Sequence, residues 1–294
     1  MLGLSPTLLT AIKQAGFKEP TPIQNQAIPL ALAGHDVMGL AQTGTGKTAA
    51  FGLPLAEMLL SEPGRPDPKT VKALILAPTR ELVNQIAENL KLYVKGSRLK
   101  VGTVVGGLDQ AKFLVLDEAD QMLDMGFIHA LRRIAPELGT PRQTMLFSAT
   151  MPKQMEELSQ AYLTNPRRVQ VAPPGKAADK VSQSLHFVPK GEKPAKLREF
   201  LLRHPDTLSL VFSRTKHGAE KLMKGLVADG FNAASIHGNK SQGQRDRAIG
   251  AFRNGSVKIL VATDVAARGI DIPDVRTVYN YDLPEVPDNY VHRI

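Results

Sequence analysis

Ten short apolar runs, five in each half of the chain, alternate with helical patterns and leave this sequence few folds to choose from. The first half offers DVMGL (36–40), ALILA (73–77), GTVV (102–105), FLVLD (113–117) and QTMLF (143–147). The second offers SLHFV (184–188), LSLVF (208–212), NAASI (232–236), KILVA (258–262) and TVYNY (277–281). Between runs the apolar period shifts to that of a helix. Leu82, Ile86, Leu90 and Tyr93 predict an amphipathic helix over 81–93. Strands that alternate with helices imply parallel sheets covered on both faces. APPGKAADKVS (172–182) is rich in Pro, Gly, Ala and charge and reads as a linker. The expected class is therefore α/β, with tandem domains over 1–171 and 183–294 joined by a short linker at 172–182.

Composition narrows the function classes. No apolar run approaches the ~20 residues that span a bilayer, and the start lacks a signal-peptide pattern. No membrane partner is expected. The chain has no cysteine, which removes disulfides and thiolate metal sites and suits a cytoplasmic setting. Net charge is +9, and most of the excess lies in the second half, which permits a nucleic-acid partner without requiring one.

The run ending at Leu40 leads into AQTGTGKTAAF (41–51). Gly44 and Gly46 let the backbone turn and aim N–H groups at a phosphate; Lys47 reaches outer phosphates, and the Thr48 hydroxyl suits Mg2+. The helix opening near Lys47 adds its positive end. The strict loop pattern begins with Gly, where this chain has Ala41. Ala41, Gln42, Thr43, Gly44, Thr45, Gly46, Lys47 and Thr48 form the candidate phosphate loop. The alternative is a Gly-rich turn without a ligand.

FLVLDEAD (113–120) delivers carboxylates to the end of an apolar strand, where ligands bind in parallel sheets. Asp117 is placed to hold Mg2+, directly or through water, and Glu118 to orient and deprotonate an attacking water. Asp120 suits a contact between motifs. On its own the cluster reads equally well as an N-cap for a helix at 121–124.

Together, DEAD (117–120) and AQTGTGKT (41–48) make the chain resemble the DEAD-box ATP-dependent RNA helicases, bacterial ones of the RhlE type in style. The resemblance implies two RecA-like domains, ATP and Mg2+ as cofactors, and RNA as partner, held largely without sequence preference. It also implies ribonucleoprotein or degradosome-type protein partners. GFKEPTPIQ (16–24) resembles the adenine-reading motif, with Gln24 at the base and Phe17 and Thr21 in support. PTREL (78–82), which supplies Pro78, Thr79 and Arg80, resembles an RNA-backbone contact, as does the pair Gly106 and Gly107. SAT (148–150) resembles the segment that links hydrolysis to RNA, through Ser148 and Thr150 together with Asp120. VFSRTK (211–216), HG (237–238) and Gln242 with Arg245 resemble RNA-facing segments, which assigns Arg214 and Gly238 as well. ATDVAARGID (262–271) places Thr263, Asp264 and Arg268 near RNA and Asp271 at the ribose. YVHRI (290–294) opens the last motif, with His292 and Arg293 as coupling residues. Taken singly, PTREL is equally a capped helix start and HG a turn.

The implied activity is RNA-stimulated ATP hydrolysis coupled to local unwinding or remodelling, with Lys47, Asp117 and Glu118 as its catalytic group. An RNA clamp with little turnover is the alternative; a small-molecule P-loop kinase and a DNA translocase are weaker ones. The chain departs from the family at three places. Only Leu108–Lys112 separate VVGG from FLVLD, too few to cross between parallel strands. A segment is thus expected to be missing near 107–112. The γ-phosphate arginines and the adenine-stacking aromatic are expected beyond Ile294 and before Met1. The chain as written is therefore expected to hydrolyse ATP poorly.

Overall fold

The computed structural model describes residues 2–42, 44–62, 64, 70–103, 111–171, 181–267, 272, 274–285, 289–290 and 293. It divides into two compact units, residues 1–175 and 176–294, each described by itself.

In the first unit the order is α1 (Pro6–Gln14), α2 (Pro22–Leu32), β1 (Val37–Leu40), α3 (Lys47–Ser61), β2 (Ala73–Leu76), α4 (Arg80–Tyr93), β3 (Phe113–Leu116), α5 (Ala119–Asp124), α6 (Ile128–Glu137), β4 (Gln143–Ser148), α7 (Lys153–Tyr162) and β5 (Arg167–Gln170). The strands lie in the order β2-β3-β4-β1-β5, and all pairs are parallel. Strand residues alternate between two cores. Val115, Met145 and Phe147 pack with Ile28 of α2, Phe51 of α3 and Ile86 of α4. Leu114, Leu116 and Leu146 pack on the other face with Met122 of α5, Leu131 of α6 and Met155 of α7. β1 and β3 are buried at every position, as strands covered on both faces must be. Gly39 in β1 makes room for Phe147: a Cβ there would lie 2.5 Å from the ring.

The second unit runs α8 (Lys193–Arg203), β6 (Leu208–Phe212), α9 (Lys216–Ala228), β7 (Ala233–Ile236), α10 (Gln242–Arg253), β8 (Ile259–Ala262), α11 (Asp264–Ala267) and β9 (Val275–Asn280). Its parallel sheet has the order β7-β8-β6-β9. Val211, Ile259 and Val261 face α8 and α9, whereas Leu260, Ala262 and Ile236 face α10.

Three expectations change. Gly102 and Thr103 are not in a strand, and residues 104 and 105 lie outside the described residues. α4 lies between β2 and its parallel neighbour β3 in the chain, and residues 107–110, where a missing segment is expected, lie outside the described residues. Residues 184–188 form no strand; Leu185 and Phe187 face solvent at 68% and 93% exposure, while His186 rests on the Phe200 ring. β5 was not foreseen: RRVQ carries one apolar side chain, Val169, and its pairing with β1 comes from the sheet rather than from local pattern.

Candidate active site

β3, β4 and β1 are neighbours in the first sheet, so the loops at their C-terminal ends meet at one edge. The loop after β1 continues the ladder for one residue, with the Ala41 N–H donating to the Ser148 carbonyl. Gly44 and Gly46 then take left-handed backbone angles, φ 78° and 88°, which a glycine adopts without penalty. Thr45 Oγ1 donates to the Gln42 carbonyl. α3 begins at Lys47, and its free N–H groups point toward this loop. Thr48 is half-buried in the first turn. Thr43 lies outside the described residues.

After β3 the chain places Asp117, Glu118 and Asp120 behind the solvent boundary, each 2–3% exposed. Glu118 takes a left-handed conformation, φ 53° and ψ 48°, at the N-cap of α5. A non-glycine residue held there costs about 1–3 kcal/mol and concentrates at functional positions. Each Glu118 oxygen has a donor. Lys47 Nζ lies 2.6 Å from Oε1, and Gln121 Nε2 lies 2.7 Å from Oε2. Burial alone would lower the Lys47 pKa, but Glu118, Asp117 and Asp120 outweigh it and hold it raised. Burial pushes Asp117 up to about 7; Lys47 offsets part of this and Glu118 adds repulsion. Three carboxylates therefore share one lysine.

That excess of negative charge fits a divalent cation. Among the described residues no group of three or more ligating side chains forms a cage. This donor set suits Mg2+, which is usually held by one or two protein groups together with phosphate oxygens and water. Asp117 and Thr48 are the groups that would hold it.

Asp120 turns away from the lysine loop and ties down the end of β4. Its Oδ2 accepts from the Ala149 N–H at 3.2 Å, the Thr150 N–H at 2.8 Å and Thr150 Oγ1 at 2.8 Å. Ser148 Oγ donates to the Thr150 carbonyl and accepts from the Asp120 N–H. The expected meeting of Asp120, Ser148 and Thr150 is thus present as geometry.

Gln24 is 3% exposed, and its amide is engaged within the chain. Its Oε1 accepts from the Thr21 N–H, and its Nε2 donates to the Gly46 carbonyl at 3.1 Å. It braces the phosphate loop directly. Phe17 packs edge-on against Tyr93. At the end of β2, Pro78 is buried, Thr79 caps α4 by accepting from the Leu82 N–H, and Arg80 is exposed. Gly106 and Gly107 lie outside the described residues.

The second unit gathers its candidates in the same way, at the ends of β6, β7, β8 and β9. Arg214 is exposed, and its N–H donates to Asp282 Oδ2. Asp282 also takes Ser213 Oγ and Lys193 Nζ. Burial would raise its pKa, but Lys193 and the Arg214 N–H bring it below the usual value. Gly238 is exposed, Gln242 Nε2 donates to Asp246, and Arg245 is half-buried on α10. Glu220 of α9 accepts from Ser235 Oγ at 2.7 Å and pairs with His237 Nε2 at 3.0 Å and Lys240 Nζ at 2.9 Å. The Thr263 N–H donates to the Ile236 carbonyl. Arg293 clasps both oxygens of Asp264, at 2.5 and 2.8 Å, and also donates to Asn280 and to the Asp282 carbonyl. Arg268, Asp271 and His292 lie outside the described residues. Sequence reasoning missed Gln121, Glu220, Asp282 and Lys193. Asp282 had a signal, since it follows a strand as Asp117 does; Glu220 sits in mid-helix and had none.

A lysine that opens a helix at a sheet edge and faces strand-borne carboxylates puts the first unit in the class of P-loop nucleotide-binding proteins. Comparison with known proteins narrows the class. The DEAD/DEAH box helicase model matches residues 21–112 and 105–158, and the helicase conserved C-terminal domain model matches 192–294. ATP-dependent RNA helicase CshA of Limosilactobacillus reuteri is 43% identical over 328 aligned positions, covering all of this chain and 65% of that protein. DEAD-box ATP-dependent RNA helicase CshA of Streptococcus pneumoniae is 41% identical, covering all of this chain and 62% of that protein. The chain thus spans just under two thirds of the length of these relatives. Among solved structures, S. cerevisiae Dbp5 bound to RNA and ADP BeF3 matches with TM-score 0.85 and 32% identity, over 99% of this chain and 84% of that one. A DEAD box protein from Methanococcus jannaschii matches with TM-score 0.55 and 33% identity, over 99% and 87%. The chain belongs to the DEAD/DEAH box helicase family, and its two units have the RecA-like fold of those structures.

Proposed function

We propose that this chain carries the two-domain core of an ATP-dependent RNA helicase, hydrolysing ATP in response to RNA and parting short duplexes or remodelling ribonucleoproteins. The observation that supports it most directly is the buried Lys47–Glu118 pair beside Asp117. Lys47 leaves Glu118 for the outer phosphates of ATP. Glu118, freed at Oε1, orients the attacking water and takes its proton. Mg2+, when bound through Asp117 and Thr48, supplies positive charge against the phosphate oxygens. The phosphate loop, residues 41–48, cradles the triphosphate, and Gln24, which also braces the end of that loop, reads the adenine edge with Phe17 and Thr21 in support. Asp271 serves the ribose.

RNA contacts fall to Pro78, Thr79, Arg80, Gly106, Gly107, Arg214, Gly238, Gln242, Arg245, Thr263 and Arg268. Such groups read phosphate and sugar, so affinity is largely independent of sequence. Asp264 lies near RNA as well, and acts there through a neighbour. A carboxylate repels phosphate, and this one is clasped by Arg293, so it serves as the anchor of that arginine. Asp120, Ser148, Thr150, His292 and Arg293 couple the two activities. Domains over 1–171 and 183–294, a linker at 172–182, a cytoplasmic setting and ribonucleoprotein or degradosome-type partners complete the reading.

The test is phosphate release with and without RNA, with Glu118→Gln as control; release that RNA does not stimulate sinks the reading. One observation favours a second reading, an RNA clamp with little turnover. The family match falls in two pieces that meet over 105–112, and the L. reuteri alignment runs over 328 positions although this chain has 294 residues. The two-piece match supports a family segment missing near 107–112, and the longer alignment supports residues missing from this chain without placing them. RNA that tightens nucleotide binding without stimulating phosphate release identifies the clamp.

A further inference from the structure

We propose that Gln121 is a positioning residue for hydrolysis: a neutral clamp that keeps Glu118 aimed once Lys47 has moved to phosphate. The inference rests on the ATPase reading above and adds to it a residue outside the expected motifs.

Glu118 is held at both oxygens, but the two holders are not equivalent. Lys47 is the cation that phosphate recruits, so its bond to Oε1 is lost when the triphosphate binds. Gln121 is neutral and has no such second employment. It stands three residues along in α5, at the spacing that brings a helix side chain over its own N-cap. Its bond to Oε2 can therefore persist while Oε1 turns to water. A carboxylate without that bond is less constrained about its last torsions, and misplacement of a reacting group by about 1 Å is costly in rate.

Only one end of the Gln121 amide is used. Gln121 is 2% exposed, and its Oε1 is buried without a hydrogen-bond partner among the described residues. A buried carbonyl left unpaired is destabilising, and against that cost stands the bond from Nε2 to a buried carboxylate oxygen, which an apolar side chain would leave without a donor. An amide kept at such a position points to the work of its Nε2 donor.

The experiment compares Gln121→Leu with wild type in RNA-stimulated ATP hydrolysis, thermal melting and equilibrium binding of a fluorescent ADP. The expected result is a kcat at least tenfold lower, with KM for ATP and ADP affinity within twofold, and a lower melting temperature, because Glu118 Oε2 loses its donor. Gln121→His, which restores a ring N–H donor, recovers part of the lost kcat at a pH where the ring is neutral. A Gln121→Leu protein with kcat within twofold of wild type overturns the proposal, as does a loss confined to KM. Should Gln121→Leu fail to fold, Gln121→Met against Gln121→His decides: the donor-bearing variant must be the faster, and equal rates overturn the idea. A wild type without RNA-stimulated hydrolysis strikes the ATPase reading itself, which separates the two failures.

Discussion

Lys47 and Glu118 form an ion pair of 2.6 Å in which both side chains are buried, at 5% and 3% exposure. Their competition for one another is also a competition with ATP. Glu118→Gln removes the charge that holds Lys47 back, so ATP affinity should be unchanged or higher while turnover falls at least a hundredfold. Lys47→Ala should weaken ATP binding more than tenfold. It should also lower stability by about 3 kcal/mol, because removal of one partner leaves a buried charge uncompensated. Nucleotide titration and chemical denaturation of the two variants check both halves; equal ATP affinity in Lys47→Ala would count against the assignment.

Asp120 joins two motifs through one oxygen, which accepts three hydrogen bonds from Ala149 and Thr150. Asp120→Asn keeps the shape but offers an N–H group or a weaker acceptor to those donors. Loss of charge-assisted bonds here should cost about 2–3 kcal/mol. The coupling role predicts more: ATP binding stays within twofold, while stimulation of hydrolysis by RNA falls at least tenfold. ATPase measured across an RNA titration separates this from simple destabilisation, which would lower basal and stimulated rates together.

The parts of this site legible in the sequence were those whose chemistry is local. A glycine pair before Lys47 and carboxylates after FLVL announce themselves by order along the chain. Continuous apolar runs likewise announce β1 and β3, because strands buried on both faces must be apolar throughout. What could not be read was partnership across the sheet. Glu220 shows as one more acid on a helix until β7 brings Ser235 and His237 beside it. β5 has a single buried apolar residue and exists because β1 offers an edge. SLHFV has the alternation of a strand but lacks regular structure, because alternation supplies a face and not a neighbour.

Glu220 gives the second unit a pH signature. Hydrogen bonds from His237, Lys240 and Ser235 hold its carboxyl down to about 2. In the unfolded chain a glutamate titrates near 4.3, roughly. The folded state therefore binds this proton less readily, so Glu220 adds stability above the unfolded value and loses it as pH falls toward 2. Compared with Glu220→Gln, the wild type should hold its advantage at pH 6 and give it up through the window from about 5 to about 2. Acid denaturation followed by circular dichroism reads this directly. A parallel pair of acid transitions would show that the cluster does not carry the effect. Because the Glu220 partners His237 and Lys240 flank Gly238 in the chain, the same variant should also weaken RNA binding several-fold at pH 7.

Gly39 and Phe147 test how β1, and with it the phosphate loop, is set in place. They are register partners on adjacent parallel strands, and the Phe147 ring lies over the glycine. A Cβ at Gly39 would come within 2.5 Å of two ring carbons, a distance that forces movement of either ring or strand. Gly39→Ala should therefore destabilise by about 1–3 kcal/mol through overpacking. It should also weaken ATP binding, because β1 ends one residue before the loop at Ala41. Phe147→Leu on its own should destabilise as well, by opening space in the core beside Phe51. In the double variant the smaller side chain accepts the new methyl group, so the two costs should sum to more than the measured loss by at least about 1 kcal/mol. Denaturation of the four proteins closes the cycle. Simple additivity would mean that the ring is not what requires glycine at this position.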